Sequence, residues 1–361
     1  MTTLRTPLCD LLGIEYPILQ AGMGGVAFGP LAAAVSRAGG LGTIAAISPT
    51  PKRLEQEIRL ARSLTNKPLC VDIGFPLRAP NESSDVTLPP LPTPLLQLKK
   101  EIEDLGVQVV PTEDQAMGIE DATAKLEICF RHGVEAIACA LGTPAWVVEA
   151  CHSRGVRTLS IVGRASHART AIQNGTDIVV VQGTEGGGHT GDVGLITLLA
   201  EVLDFATVPV VAAGGLVHGS QIAAVLTQGA AGAWVGTRFI ATEEASVGEN
   251  YKRSIVEAEH DSTIRSLIFD GLFVRQLRNR FTEVWSGHMD EVQPYPTQRL
   301  VVAPVRFAAW AADLKEHQPL PAGQGAGLIH DVLPAAEVLE RLVSETVTAL
   351  NTSAGRIQFS L

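Results

Sequence analysis

The chain has 361 residues, 46% of them hydrophobic and 18% charged, with 35 glycines, 21 prolines and a formal net charge of −10. That hydrophobic fraction excludes a disordered chain, and the length suits one large α/β domain with an appendage or two ordinary domains. The acidic balance argues against nucleic acid as a partner, because its recognition needs a basic face.

The first residues, MTTLRTPLCDLLGIEYP, carry no long apolar stretch and do not read as a signal peptide. Short β-branched runs then alternate with amphipathic helical stretches, the sequence form of βα units around a parallel sheet. The first strand is Pro17 to Ala21, followed by a glycine-rich turn and the alanine-rich helix LAAAVSRAGG. Strand LGTIAA ends near Ser48, and a helix from Pro51 to Thr65 follows, its start marked by a cap before a proline in SPTP. Leu54, Ile58, Ala61 and Leu64 give that helix one apolar face. The third strand, PLCVDIGF, runs into a proline-rich piece, residues 76–94, too long for an ordinary βα turn and expected to form a lid. Helical patterns fill Leu95 to Arg131. Strands four to six are expected at VEAIACALG, RTLSIV and DIVVVQG, and strands seven and eight at VPVVAAGG and GAWVGTRFIA. Eight strands, each leading towards helical sequence, fit a (β/α)8 TIM barrel, for which ~250 residues is typical. A doubly wound sheet would leave two units unexplained. The expected division is a barrel over residues 1–242 and a mostly helical extension over 243–361 packed on it.

In such a barrel the active site lies where the strands end. After strand one, Gly22-Met23-Gly24-Gly25-Val26-Ala27 has the form of a dinucleotide fingerprint, which also needs an acid about 20 residues on. No Asp or Glu occurs between Glu15 and Glu55, so that reading fails. A tight turn, or a backbone lying close to a flat ligand, remains. After strand six, Gln182-Gly183-Thr184-Glu185-Gly186-Gly187-Gly188-His189 places one histidine beside three glycines. A histidine there can shuttle a proton near neutral pH or serve as a cap or core residue. Strands seven and eight end in Ala213-Gly214-Gly215 and Gly236-Thr237-Arg238-Phe239, which suit a phosphate cradle, or only close strand packing. Histidine spacing shows no HxxxH or HxH pair, so zinc is not expected, and no GxSxG elbow or cysteine nucleophile motif appears. A phosphate cradle, a glycine wall and one histidine suit a bound cofactor, with flavin mononucleotide (FMN) the simplest candidate.

The blocks PILQAGMGGVAFGPLAAAVSRAGGLGTIAA, QGTEGGGHTG, VPVVAAGG and GAWVGTRF, with LRNRFTEVW, PYPTQ and GQGAGLI in the tail, extend over about residues 5–343. In these the chain resembles the nitronate monooxygenase (2-nitropropane dioxygenase-like) family of FMN-dependent barrels. The resemblance implies that Ala21, Gly22 and Met23 lie along the isoalloxazine ring and that Gln182 and Gly187 contact the flavin and its ribityl chain. It implies a phosphate held by Gly214, Gly215, Gly236 and Thr237, with Trp234 and Val235 completing that strand end. His189 matches the family histidine that faces substrate. One position departs: the resemblance implies a flavin contact from the third strand, which often carries asparagine there in a VNL-like sequence, and VDIGF puts Asp72 at that place. An ionised aspartate accepts hydrogen bonds but donates none.

The implied activity is oxidation of alkyl nitronates to a carbonyl compound and nitrite by an FMN-dependent oxidoreductase using O2. An alternative is a flavin-dependent reductase or dehydrogenase of enones, enoyl thioesters or acyl-CoA using NAD(P)H, with the run Arg275, Arg278, Arg280 meeting CoA phosphates. That run reads equally as a solvated helix face. A flavin-binding module without turnover is the third class. Cys9, Cys70, Cys129, Cys139 and Cys151 show no CxxC pairing and fit a reducing compartment. Apolar runs are broken within about 10 positions, short of a bilayer span. The expected setting is therefore cytoplasmic, with a small-molecule substrate, no membrane or nucleic-acid partner, and a homo-oligomer left open.

Overall fold

The computed structural model describes residues 3–47, 49–75, 88–111 and 118–356. Eleven strands follow one another among them: β1 (Ile18–Gln20), β2 (Gly42–Ala45), β3 (Leu69–Gly74), β4 (Ala136–Ala140), β5 (Arg157–Val162), β6 (Ile178–Gln182), β7 (Gly188–His189), β8 (Val210–Ala213), β9 (Gly232–Val235), β10 (Thr263–Ser266) and β11 (Val274–Leu277). All except β7, β10 and β11 form one parallel sheet in the order β1-β9-β8-β6-β5-β4-β3-β2. The two ends of that order meet: the Leu41 N–H donates to Ile18 O at 3.1 Å and the Gln20 N–H to Leu41 O at 2.9 Å. The sheet therefore closes into a (β/α)8 barrel.

Strand side chains alternate between the two faces of the sheet. Leu19, Leu41, Cys70, Leu159, Val180 and Trp234 point into the barrel and form one apolar cluster. Their neighbours of opposite parity, such as Ile18, Val179, Val181 and Val235, pack outwards against the helices. The helix expected after SPTP runs from Pro51 to Leu64, and the Thr50 side chain caps it by accepting the Arg53 N–H at 3.3 Å.

Of the expected lid, residues 76–87 lie outside the described residues. Its last residues enter a helix, Thr93–Asp104, and a second helix, Ile119–Arg131, precedes β4. The chain after β9 contains more than helices. β10 and β11 form an antiparallel ribbon, and β11 pairs in turn with β7 through Val274↔His189 and Arg275↔Gly188. Four-residue runs such as TIRS and VRQL are too short to display a strand period, which hides the ribbon from sequence reading.

A separate apolar cluster joins the helix Thr93–Asp104, through Leu95, Leu98 and Ile102, to Phe281, Trp285 and the helix Thr297–Ala311. Trp285 is 1% exposed, and its indole N–H has no hydrogen-bond partner among the described residues. Its contribution is therefore apolar packing. Trp285→Ala should leave a cavity and lower stability by about 3–5 kcal/mol. Chemical denaturation of the two proteins side by side measures this, and a loss close to zero would show that the cluster collapses around the gap.

Candidate active site

At the C-terminal ends of the barrel strands lies a cavity of about 840 Å³. Ala21, Gly22, Met23, Asp72, Gln182, Gly187, His189, Gly214, Gly215, Trp234, Gly236 and Thr237 all line it. Twelve positions singled out from sequence thus converge on one space. Val235 does not join them. Trp234 takes the inward parity of β9, so the Val235 side chain is buried in the outer layer; only its carbonyl contributes nearby, accepting the Ala21 N–H at 2.8 Å. Residues after the barrel supply the far wall, among them Tyr251, Arg265, Phe269, Phe273, Trp310 and Pro321.

The loop after β6 is held by its own polar groups. The Gln182 Nε2 donates to His189 O at 2.7 Å, folding the glycine stretch back on the strand end. Glu185 accepts the Leu195 N–H with both carboxylate oxygens, at 3.1 and 3.0 Å, and so caps the helix Leu195–Leu203. The GQGAGLI segment closes the wall from the other side. Its Gln324 N–H donates to Glu185 O at 2.9 Å, and the Gly323 N–H donates to Thr237 Oγ1 at 2.9 Å. Because Thr237 Oγ1 is an acceptor in that bond, its own hydroxyl proton remains for a further acceptor.

Asp72 lies on β3 with the inward parity of Cys70, is 2% exposed and lines the cavity. The loop after β1 presses on it: a Cβ at Gly22 would collide with the Asp72 side chain. Asp72 Oδ1 is buried without a hydrogen-bond partner among the described residues. Burial pushes the carboxyl up to about 8. At neutral pH the group therefore keeps its proton and can donate. This corrects the acceptor-only expectation, which assumed an ionised carboxylate; desolvation disfavours the charge.

His189 is about one-third exposed at the cavity wall, and its Nε2 lies 2.7 Å from Asp270 Oδ2. Asp270 is fully buried, and its other oxygen accepts the Leu272 N–H at 3.0 Å. Sequence reading missed Asp270, which stands 81 residues from its partner with no local pattern to mark it. The arginine run also disperses. Arg275 is buried in β11 and donates to Thr184 O and Thr263 Oγ1. Arg280 opens the helix Arg280–Glu283 and pairs with Glu101 at 2.6 Å, which leaves Arg278 as the exposed member. The three fall on a strand, the link after it and the first position of a short helix, so they share no single helix face.

A sequence profile of the family described as nitronate monooxygenase matches residues 5–345. A protein of Mycobacterium tuberculosis named (3aS,4S,5R,7aS)-5-hydroxy-7a-methyl-1-oxo-octahydro-1H-indene-4-carboxyl-CoA dehydrogenase is 30% identical, over 98% of this chain and 99% of its own length. A probable nitronate monooxygenase of Staphylococcus haemolyticus is 30% identical over 95% and 97%. Among solved structures, nitroalkane oxidase from Streptomyces ansochromogenes superposes with a TM-score of 0.83 at 33% identity, covering 96% of this chain and 100% of that one.

The buried Asp72 carboxyl gives a stability signature in protein measured without ligand. Its folded value is about 8, against an ordinary value near 4 in the unfolded chain. Below about pH 4 both states are protonated and the group adds no pH dependence. Between about 4 and 8 only the unfolded carboxyl ionises, so the wild type should lose ~1.4 kcal/mol per pH unit relative to Asp72→Asn. Above about 8 the gap should stay constant. Denaturant midpoints of both proteins across this range test it; a gap independent of pH would mean that Asp72 is ionised inside the fold.

Proposed function

The chain belongs to the nitronate monooxygenase family, and from that premise we propose that this oxidoreductase binds FMN non-covalently in the barrel-mouth cavity and oxidises alkyl nitronates with O2 to a carbonyl compound and nitrite. The observation that carries the reading is the convergence of a glycine-backed wall, the Thr237 hydroxyl and His189 on one cavity.

These residues suit the cofactor. Gly214, Gly215 and Gly236, with the spare Thr237 hydroxyl proton, would hold the phosphate through backbone N–H and O–H donors. Ala21 to Met23 would lie against the ring, and the orphaned, protonated Asp72 would donate to a flavin acceptor. When bound, FMN supplies the electron transfer that links nitronate to dioxygen. The chain's own groups do the rest. His189 orients the nitronate anion or takes the proton of a neutral nitroalkane. Phe269, Phe273 and Trp310, lining the outer wall, exclude water from the reacting carbon. A cytoplasmic setting is part of the proposal, supported by five buried free cysteines. Among the described residues, no helix is long and apolar enough to cross a membrane.

A second reading, dehydrogenation or reduction of an acyl-CoA with NAD(P)H, is favoured by the mycobacterial CoA dehydrogenase relative. The dispersed arginines do not add to it. Anaerobic reduction of the flavoprotein separates the two readings: rapid bleaching by a nitronate supports the first, and bleaching only by NAD(P)H or an acyl-CoA supports the second. Mass analysis of the released cofactor should give FMN. A protein that fails to bind added FMN would overturn both readings.

His189→Asn keeps a polar side chain but removes the titrating imidazole. Turnover of a neutral nitroalkane should fall by roughly 10²–10⁴-fold, with less loss for a preformed nitronate and FMN occupancy unchanged. Single-turnover flavin reduction measures this, and wild-type rates on both substrates would reduce His189 to a structural residue.

A further inference from the structure

The imidazole at the cavity wall is fixed from three directions, and one of them bears on its chemistry. Its backbone pairs with Val274 in the antiparallel register, and its carbonyl accepts the Gln182 side-chain N–H at 2.7 Å. These contacts place the residue but leave its ring free to turn. The third contact, from Nε2 to the Asp270 carboxylate at 2.7 Å, removes that freedom.

We propose that Asp270 is a positioning residue that holds the proton of neutral His189 on Nε2, so that Nδ1 is the nitrogen that acts on substrate. A carboxylate can only accept hydrogen bonds, so the nitrogen facing it must carry the hydrogen. The other nitrogen, Nδ1, then keeps its lone pair, on a residue that lines the cavity. The group that bonds one ring nitrogen of a histidine sets in this way which nitrogen is free.

Asp270 is itself built to stay where it is. Its side chain is 1% exposed, and Oδ1 is tied to the Leu272 N–H. Gly271 follows with φ of +91°, a conformation other residues rarely adopt, and its Cα hydrogens face the Pro294–Tyr295 backbone. Gln298 reaches back from the helix Thr297–Ala311, and its Nε2 donates to Ile268 O at 2.8 Å. The PYPTQ motif thereby acquires a role: it buttresses the turn that carries Asp270.

On the reading given under Proposed function, the consequence is a proton transfer. The C–H bond of a neutral nitroalkane breaks, its electron pair stays on the substrate as the nitronate, and the proton forms an N–H bond at Nδ1. The resulting imidazolium then lies against the Asp270 carboxylate, which stabilises its charge.

The test reads the tautomer directly. Ring-¹⁵N-labelled histidine is introduced into the holoprotein, and the His189 signals are assigned by their loss in His189→Asn. In the wild type, neutral His189 should show a protonated Nε2 and a bare Nδ1. In Asp270→Asn the amide can donate as well as accept, so the signals should move towards the other tautomer. With nitroalkane as substrate, kcat should fall by roughly 10²–10⁴-fold in that variant, with a smaller change in KM. A preformed nitronate, which gives up no proton, should lose a smaller factor. Wild-type His189 protonated on Nδ1 would overturn the proposal, as would an Asp270→Asn protein that keeps both the tautomer and the nitroalkane kcat. If Asp270→Asn does not fold, the wild-type tautomer alone decides. The tautomer is measured without turnover, so a protein that oxidises no nitronate at all refutes the proposed activity and leaves this inference to stand or fall separately.

Discussion

Val274 and Arg275 pair with His189 and Gly188 across a strand that is only two residues long on the barrel side. A two-residue strand has little stability of its own, so the pairing survives because other groups converge on it. The Arg275 guanidinium crosses the ribbon, donating to Thr184 O in the loop after β6 and to Thr263 Oγ1 on β10. Gln182 restrains the same loop from the barrel strand. One buried cation and one amide thus decide where an imidazole 81 residues distant in sequence from its carboxylate partner will stand. This junction ties the histidine at the barrel mouth to the ribbon that follows the barrel.

The interior of the barrel carries a second constraint. A buried carboxyl on the same strand face as Cys70 runs against the usual preference of strands buried on both faces. The chain tolerates it by leaving the group protonated and by packing Gly22 against it. Local rules tend to be broken at functional sites, and Asp72 breaks one on the lining of the candidate cavity. A neutral acid can do what asparagine does as a donor. The departure from the VNL-like pattern therefore changes the pH dependence of the position more than its hydrogen-bonding capacity.

Much of the architecture was legible because it is local. Alternating βα runs gave the barrel, the SPTP cap started its helix where Thr50 does, and glycine clusters marked the strand ends that line the cavity. What stayed hidden depends on contacts between distant parts of the chain. Nothing around Asp270 in LIFDGLF announces a partner at His189. Val235 belongs to a strand that was correctly placed, but a four-residue run does not state which parity faces inwards. The arginines at 275, 278 and 280 read either as a CoA-phosphate contact or as a solvated helix face; a strand followed by a separate short helix sends them apart. That Asp72 keeps its proton follows from burial, which composition does not reveal.

The docking of Gly323 and Gln324 on Thr237 and Glu185 also sets an order in time. The last barrel strand ends at Val235, yet the wall beside Thr237 awaits a segment nearly a quarter of the chain further on. At the ~5–20 residues per second of synthesis, a ribosome completes the barrel strands on the order of 5 to 20 seconds before it delivers that segment. Through this interval the nascent barrel exposes an open mouth. Any ligand of the finished cavity would therefore be gripped fully only late in synthesis.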